Sequence, residues 1–146
     1  MKASEWLARG QTAGDAFDAL SNCWKGFNNL FAGKGQERDL IRRFLRERLD
    51  EESAWELLGA HPKDLETLLH QPVMDMRGNG KDTAQYVEQF SASAAAVDQL
   101  VALFMVIYQV RCNLEHGQKS PSRERHESLC AAASTFVADV VGRTAA

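Results

Sequence analysis

Apolar residues recur at spacings of three and four along most of the chain. Phe17, Leu20, Trp24, Phe27 and Phe31 form one stripe, which predicts an amphipathic helix from about Asp15 to Phe31. Thr12 marks its approach, and Gly33 and Gly35 stop it. The preceding SEWLAR segment reads as a separate helical turn. Over about Gln36 to Leu49 the inward set is Leu40, Ile41, Phe44, Leu45 and Leu49, with Arg38, Arg42, Arg43 and Arg46 on the other face. Asp50 suits the N-cap of a helix carrying Trp55, Leu57 and Leu58, and the leucine spacing places Trp55 in the core with Trp24. His61-Pro62 opens a short helix with Leu65, Leu68 and Leu69.

HQPVMDMRGNGKD, with Pro72, Gly78 and Gly80, reads as a loop. Asp82 and Gln85 have capping-box spacing and start a segment that breaks near Ser91 to Ser93. The central helix follows, apolar on most of its circumference and expected to end at His116. Ser120-Pro121 opens a last helix whose buried stripe is Leu129, Ala133, Phe136, Val137 and Val140. No alternating β-branched run of useful length is present. The expected fold is all-α: an antiparallel bundle of four to five main helices in a single domain, residues 1–146.

Composition narrows the function. The net charge of −3 argues against a whole-molecule electrostatic grip on nucleic acid, so any such contact needs a local basic surface. Cys23, Cys112 and Cys130 are odd in number and lack zinc-site or CxxC spacing. A reducing, cytoplasmic setting is the expectation. The N-terminal MKASEWLARG has no apolar signal region. The longest apolar run, Leu100 to Tyr108, is nine residues, where a membrane span needs about 20. His61, His70 and His126 have no ligand spacing with acidic or cysteine partners, so neither metal nor other cofactor is expected.

The densest chemistry lies at Tyr108 to Gly117, YQVRCNLEHG, where the apolar run gives way to Arg111, Asn113, Glu115 and His116. Arginine presents a permanently charged fork to phosphate, and histidine transfers protons near neutral pH. Together they suit RNA cleavage, in which the 2′-OH attacks phosphorus and the phosphorane needs a cation. Asn113, three residues before His116, shares its helical face. Arg111 and His116 are five residues apart, about 140° on one straight helix. They converge only if the helix ends near His116, with Gly117 as the terminating residue, or if a second copy of the chain supplies the partner.

This segment resembles the R-x4-6-H motif of the HEPN superfamily, most closely the branch reading roughly VRNNLFHG; here it stands as Val110-Arg111-Cys112-Asn113-Leu114-Glu115-His116-Gly117. Phe17 to Phe31, with Trp24, Phe27 and Asn28, is similar to the F…W..FN.L stretch of related HEPN domains. Residues 36 to 95 add nothing to the likeness. The resemblance implies a helical bundle pairing as a homodimer, with both motifs at the dimer cleft. Many members are metal-independent endoribonucleases, in settings that include toxins and phage defence. Others are inactive modules that bind a partner protein, such as a nucleotidyltransferase antitoxin encoded beside them, or a nucleotide.

On this likeness Arg111, Asn113 and His116 are the candidate catalytic residues. Lys119, Arg123 and Arg125 are candidate RNA contacts, and Asn28, Cys112 and Glu115 would support the site. Cys112 replaces a residue that is commonly asparagine, and Glu115 one that is usually apolar, and both departures favour the non-catalytic reading. Simpler accounts stand beside these assignments. Arg111 and His116 also suit a helix C-terminus, where the helix dipole favours cations. Lys119, Arg123 and Arg125 also suit ordinary first-turn charges. The arginines between 38 and 48 alternate with Glu37, Asp39 and Glu47 and read as a solvated face.

Overall fold

A computed structural model describes residues 1–145; Ala146, the last residue of the expected domain, lies outside them. The described residues form nine helices and no strand: α1 (Ala3–Gln11), α2 (Ala16–Phe31), α3 (Glu37–Arg48), α4 (Glu51–Ala60), α5 (Pro62–Leu69), α6 (Ala84–Ala92), α7 (Ala96–Cys112), α8 (Leu114–Gln118) and α9 (Arg123–Thr144). The local start signals act as the sequence suggests. Asp15 accepts from Asp18 N at 2.8 Å, and Asp50 accepts from Ser53 N at 2.8 Å. Pro62 occupies the first turn of α5, where its missing N–H costs nothing.

The core is organised on α2, α7 and α9. From Leu100 through Ile107 every residue of α7 is buried, and α2, α3, α4, α6 and α9 pack around it. Phe27 of α2 is the aromatic hub. Its ring centroid lies 5.4 Å from Phe104 on α7, 5.6 Å from Phe44 on α3 and 5.3 Å from Trp24, in edge-on geometries that suit the ring quadrupole. α1 lies close on α2 because two glycines allow it. A side chain at Gly10 would collide with the Cys23 sulfur, and one at Gly26 would come within 2.8 Å of the Ala3 carbonyl.

α7 has no local side-chain cap at Ala95. Its first N–H groups are satisfied from a distance: Ala96 N and Val97 N donate to the Glu51 carboxylate at 2.7 and 2.8 Å. A carboxylate there also complements the positive end of the helix dipole. The expected break after Phe90 is present, with α6 ending at Ala92 and Ser93 extended. No helix among the described residues is long and apolar enough to cross a membrane.

Four expectations are corrected. The central helix ends at Cys112 rather than His116, and His116 belongs to the separate short helix α8. The last helix begins at Arg123, with Ser120 and Pro121 in the turn before it. Asp82 does not form a capping box; it accepts from Ala84 N at 2.9 Å. Trp55 is 72% exposed instead of buried, because the buried face of α4 is taken by Ala54, Leu57 and Leu58.

Candidate nucleic-acid interface at the end of the central helix

The last turn of α7 has two faces with opposite fates. Gln109 and Asn113 are four residues apart and point inward; both are buried. Tyr108, Arg111 and Cys112 share the outer face, and the last two are exposed. Asn113 sits at the joint between α7 and α8 with φ −83° and ψ 0°. Only 2% exposed, it spends its amide on the fold: Oδ1 accepts from Gln109 Nε2 at 3.0 Å and from Met76 N at 3.1 Å, and Nδ2 donates to Met74 O at 2.6 Å. It contacts neither His116 nor the surface, and its role is to tie the Val73–Thr83 loop to the end of α7.

Beyond this joint the chain turns into α8. Gly117 does not terminate a helix. It is buried inside α8, where a side chain would come within 2.9 Å of His126 Cβ on α9, so its lack of a side chain permits close packing. Burial, and secondarily the Arg125 charge, lowers the His126 pKa below its ordinary value.

Arg111 and Cys112 line a groove of about 310 Å³ with Ser21, Trp24 and Lys25 of α2 and Leu114, Glu115 and Gln118 of α8. His116 does not line it. Both Arg111 and His116 are exposed, and neither side chain enters a hydrogen bond or ion pair among the described residues. Tyr108 lies under Arg38, whose guanidinium is 4.6 Å from the ring centroid and 5.4 Å from that of Tyr86. The Tyr108 pKa is pushed up to about 12, first by burial, then by the neighbouring Cys112 and Glu37.

The other expected RNA contacts disperse. Lys119 pairs with Glu115 at 3.6 Å, an exposed contact of little energetic weight. Arg123 lies over Phe17, 4.9 Å from its centroid, and donates to Gln118 O at 2.9 Å. Arg125 reaches away to Gln71 O and Pro72 O, both at 3.3 Å, and lines a different groove with Lys63 and His70. Asn28 is exposed on α2, and its side chain makes no hydrogen bond among the described residues. The expected set is therefore brought together in part: Arg111, Cys112 and Glu115 share one groove, with Lys119 tethered at its rim.

Two cations near the motif were not legible as such. Lys25 lines the groove from α2, and its ammonium lies 4.8 Å from the Trp6 ring centroid. Arg77 sits on the loop held by Asn113, one residue beyond Met76, and its pKa is raised chiefly by its pairing with Asp75. The clustered Asp75, Gly78, Asn79 and Gly80 signalled a structured turn, but nothing local said where that turn would dock. Among the described residues no group of three His, Cys, Asp or Glu side chains is placed to hold a metal ion. No family model matches the chain, and no similarity to a curated protein or a solved structure was detected.

Proposed function

We propose that this chain is a HEPN-type, metal-independent endoribonuclease that works as a two-fold dimer, in the setting of a toxin or phage-defence effector. One observation carries the reading: Arg111 and His116 are both exposed and unengaged, on either side of a helix joint fixed by a buried asparagine. Histidine takes the proton from the RNA 2′-OH, or supplies one to the leaving 5′-oxygen. The 2′-oxygen bonds to phosphorus, the P–O5′ bond breaks, and the products are a 2′,3′-cyclic phosphate and a 5′-hydroxyl. Arg111 stabilises the charge on the phosphorane oxygens. Arg111 lines the groove and His116 does not, so a second copy of the chain completes the site by bringing its His116 to the groove.

The placements revise the role of Asn113. Its amide is buried and turned to Gln109, Met74 and Met76, so in this reading it positions the two reacting groups and does not touch RNA. The test is cleavage of labelled single-stranded RNA in EDTA. Wild type is expected to release cyclic phosphate ends. His116→Ala and Arg111→Ala, at matched oligomeric state, are expected to lose at least about a hundredfold in rate. Full activity in either variant would sink the assignment.

A second reading is a non-catalytic module that binds a neighbouring-gene protein or a nucleotide. The separation of His116 from the Arg111 groove favours it, as does the carboxylate of Glu115 in the groove wall. A stable complex with such a partner and no RNA cleavage would select it.

A further inference from the structure

The loop that Asn113 anchors is built around one carboxylate. Asp75, only 5% exposed, accepts from Arg77 Nε at 3.1 and 3.2 Å, from Arg77 Nη2 at 2.7 Å, from Arg77 N at 3.0 Å and from Asn79 Nδ2 at 3.0 Å. Gly78 and Gly80 turn the chain at φ +78° and +74°, a region that side chains disfavour. Asp75 N donates to Lys81 O at 2.9 Å, Thr83 Oγ1 accepts from Val73 N at 2.8 Å, and a bridge between Met74 and Asp82 closes the base. Asn113 then grips the loop at Met74 and Met76, the residue before Arg77.

All this order serves a side chain that stays in water. The Arg77 side chain is 74% exposed although Asp75 holds it at two nitrogens. The pair is covered on one side only: the Asp75 carboxylate is buried while the guanidinium reaches into solvent. The Arg77 backbone N–H and Asn79 Nδ2 also bond Asp75, so the carboxylate keeps partners within the loop besides the guanidinium. What the pairing does is fix a planar guanidinium, with its Nη1 uncommitted, beside the end of α7. An ordered fork loses less entropy when it meets an anion.

We propose that Arg77 is a further phosphate contact of the Arg111 site, binding the backbone of single-stranded RNA, with Asp75 and Asn113 as its positioning residues. The identity of the ligand rests on the ribonuclease reading above. The contact itself is tested separately from cleavage.

The experiment uses the full chain carrying His116→Ala, which keeps RNA intact, and a labelled single-stranded RNA in EDTA. Fluorescence anisotropy is followed across a salt series. Adding Arg77→Ala is expected to weaken binding about tenfold or more, irrespective of sequence. It is also expected to flatten the dependence of log affinity on log salt by about 0.7, the value for one phosphate on a single strand. A merely structural role would leave that slope in place. Arg77→Lys is expected to restore the slope without the full affinity, because it keeps the charge and loses the fork. Unchanged affinity and slope in Arg77→Ala, while Arg111→Ala weakens binding, would overturn the proposal. Absence of RNA binding by the parent at low salt would overturn it too. Arg77-dependent binding without any cleavage by wild type would remove the ribonuclease reading and leave the contact standing.

Discussion

Asn113 shows how a motif residue and a fold residue can be the same atom set. Its position beside Arg111 and His116 suggests chemistry, yet its three hydrogen bonds all go to the protein. Removing it leaves Met74 O, Met76 N and Gln109 Nε2 without their partner, two of them on backbone. A buried polar group without its partner costs about 1–3 kcal/mol, so Asn113→Ala is expected to lower stability by about 2 kcal/mol or more. A urea melt reads this directly. An unchanged midpoint would mean that water replaces the amide and that the loop does not need it. Arg111 and His116 behave oppositely: being exposed and unengaged, they can be exchanged with little loss of stability, which makes their variants clean probes of function.

The helix α7 depends on a cap it does not own. Ala95 offers no side-chain acceptor, and the carboxylate of Glu51, forty-five and forty-six positions earlier, takes the N–H groups of Ala96 and Val97. Loss of a helix cap costs about 0.5–2 kcal/mol, and here the acceptor is charged and bonds two donors. Glu51→Ala is therefore expected to destabilise the protein by about 1–2 kcal/mol, and Glu51→Gln by less. Chemical unfolding of both variants checks the order. Equal stability of Glu51→Ala and wild type would show that solvent caps α7 adequately. The joint at the other end of α7 is set differently, by a buried asparagine and by Gly117 packed on His126, so the two ends of one helix rely on separate long-range contacts.

For the whole molecule, the decisive consequence of the proposal is that neither protomer holds a complete site. If Arg111 of one copy works with His116 of the other, then two inactive variants complement each other. A mixed dimer of Arg111→Ala and His116→Ala chains keeps one intact pair of groups. Random exchange makes about half the dimers mixed, each with one of two sites, so about a quarter of the wild-type rate is expected on mixing. RNA cleavage before and after subunit exchange measures it. No recovery, with exchange demonstrated by labelled chains, would place both groups in one protomer or remove the catalytic reading.

The helices themselves were legible because their causes are local. The stripe from Phe17 to Phe31, the caps Asp15 and Asp50, Pro62, and the break at Ser91 to Ser93 all report on the nearest turn of chain. Trp55 stands three residues before Leu58 yet faces solvent, because such spacing only suggests a shared face and the neighbouring helices decide which face is covered. The motif was legible as a set of residue types, and its geometry was not. Where α7 ends depends on a loop some forty residues earlier donating to and accepting from Asn113, and Gly117 has meaning only against His126. So the sequence alone determined an all-helical chain with an apolar central helix followed closely by an arginine, an asparagine and a histidine, and not where that helix ends. Tertiary structure alone decided that the asparagine turns inward, that the histidine leaves the groove, and that the loop carrying Arg77 is tied to the end of α7. The physical reason is that helix propensity, caps and turn residues act over a few positions, whereas buried hydrogen bonds join whichever segments the packed core brings together.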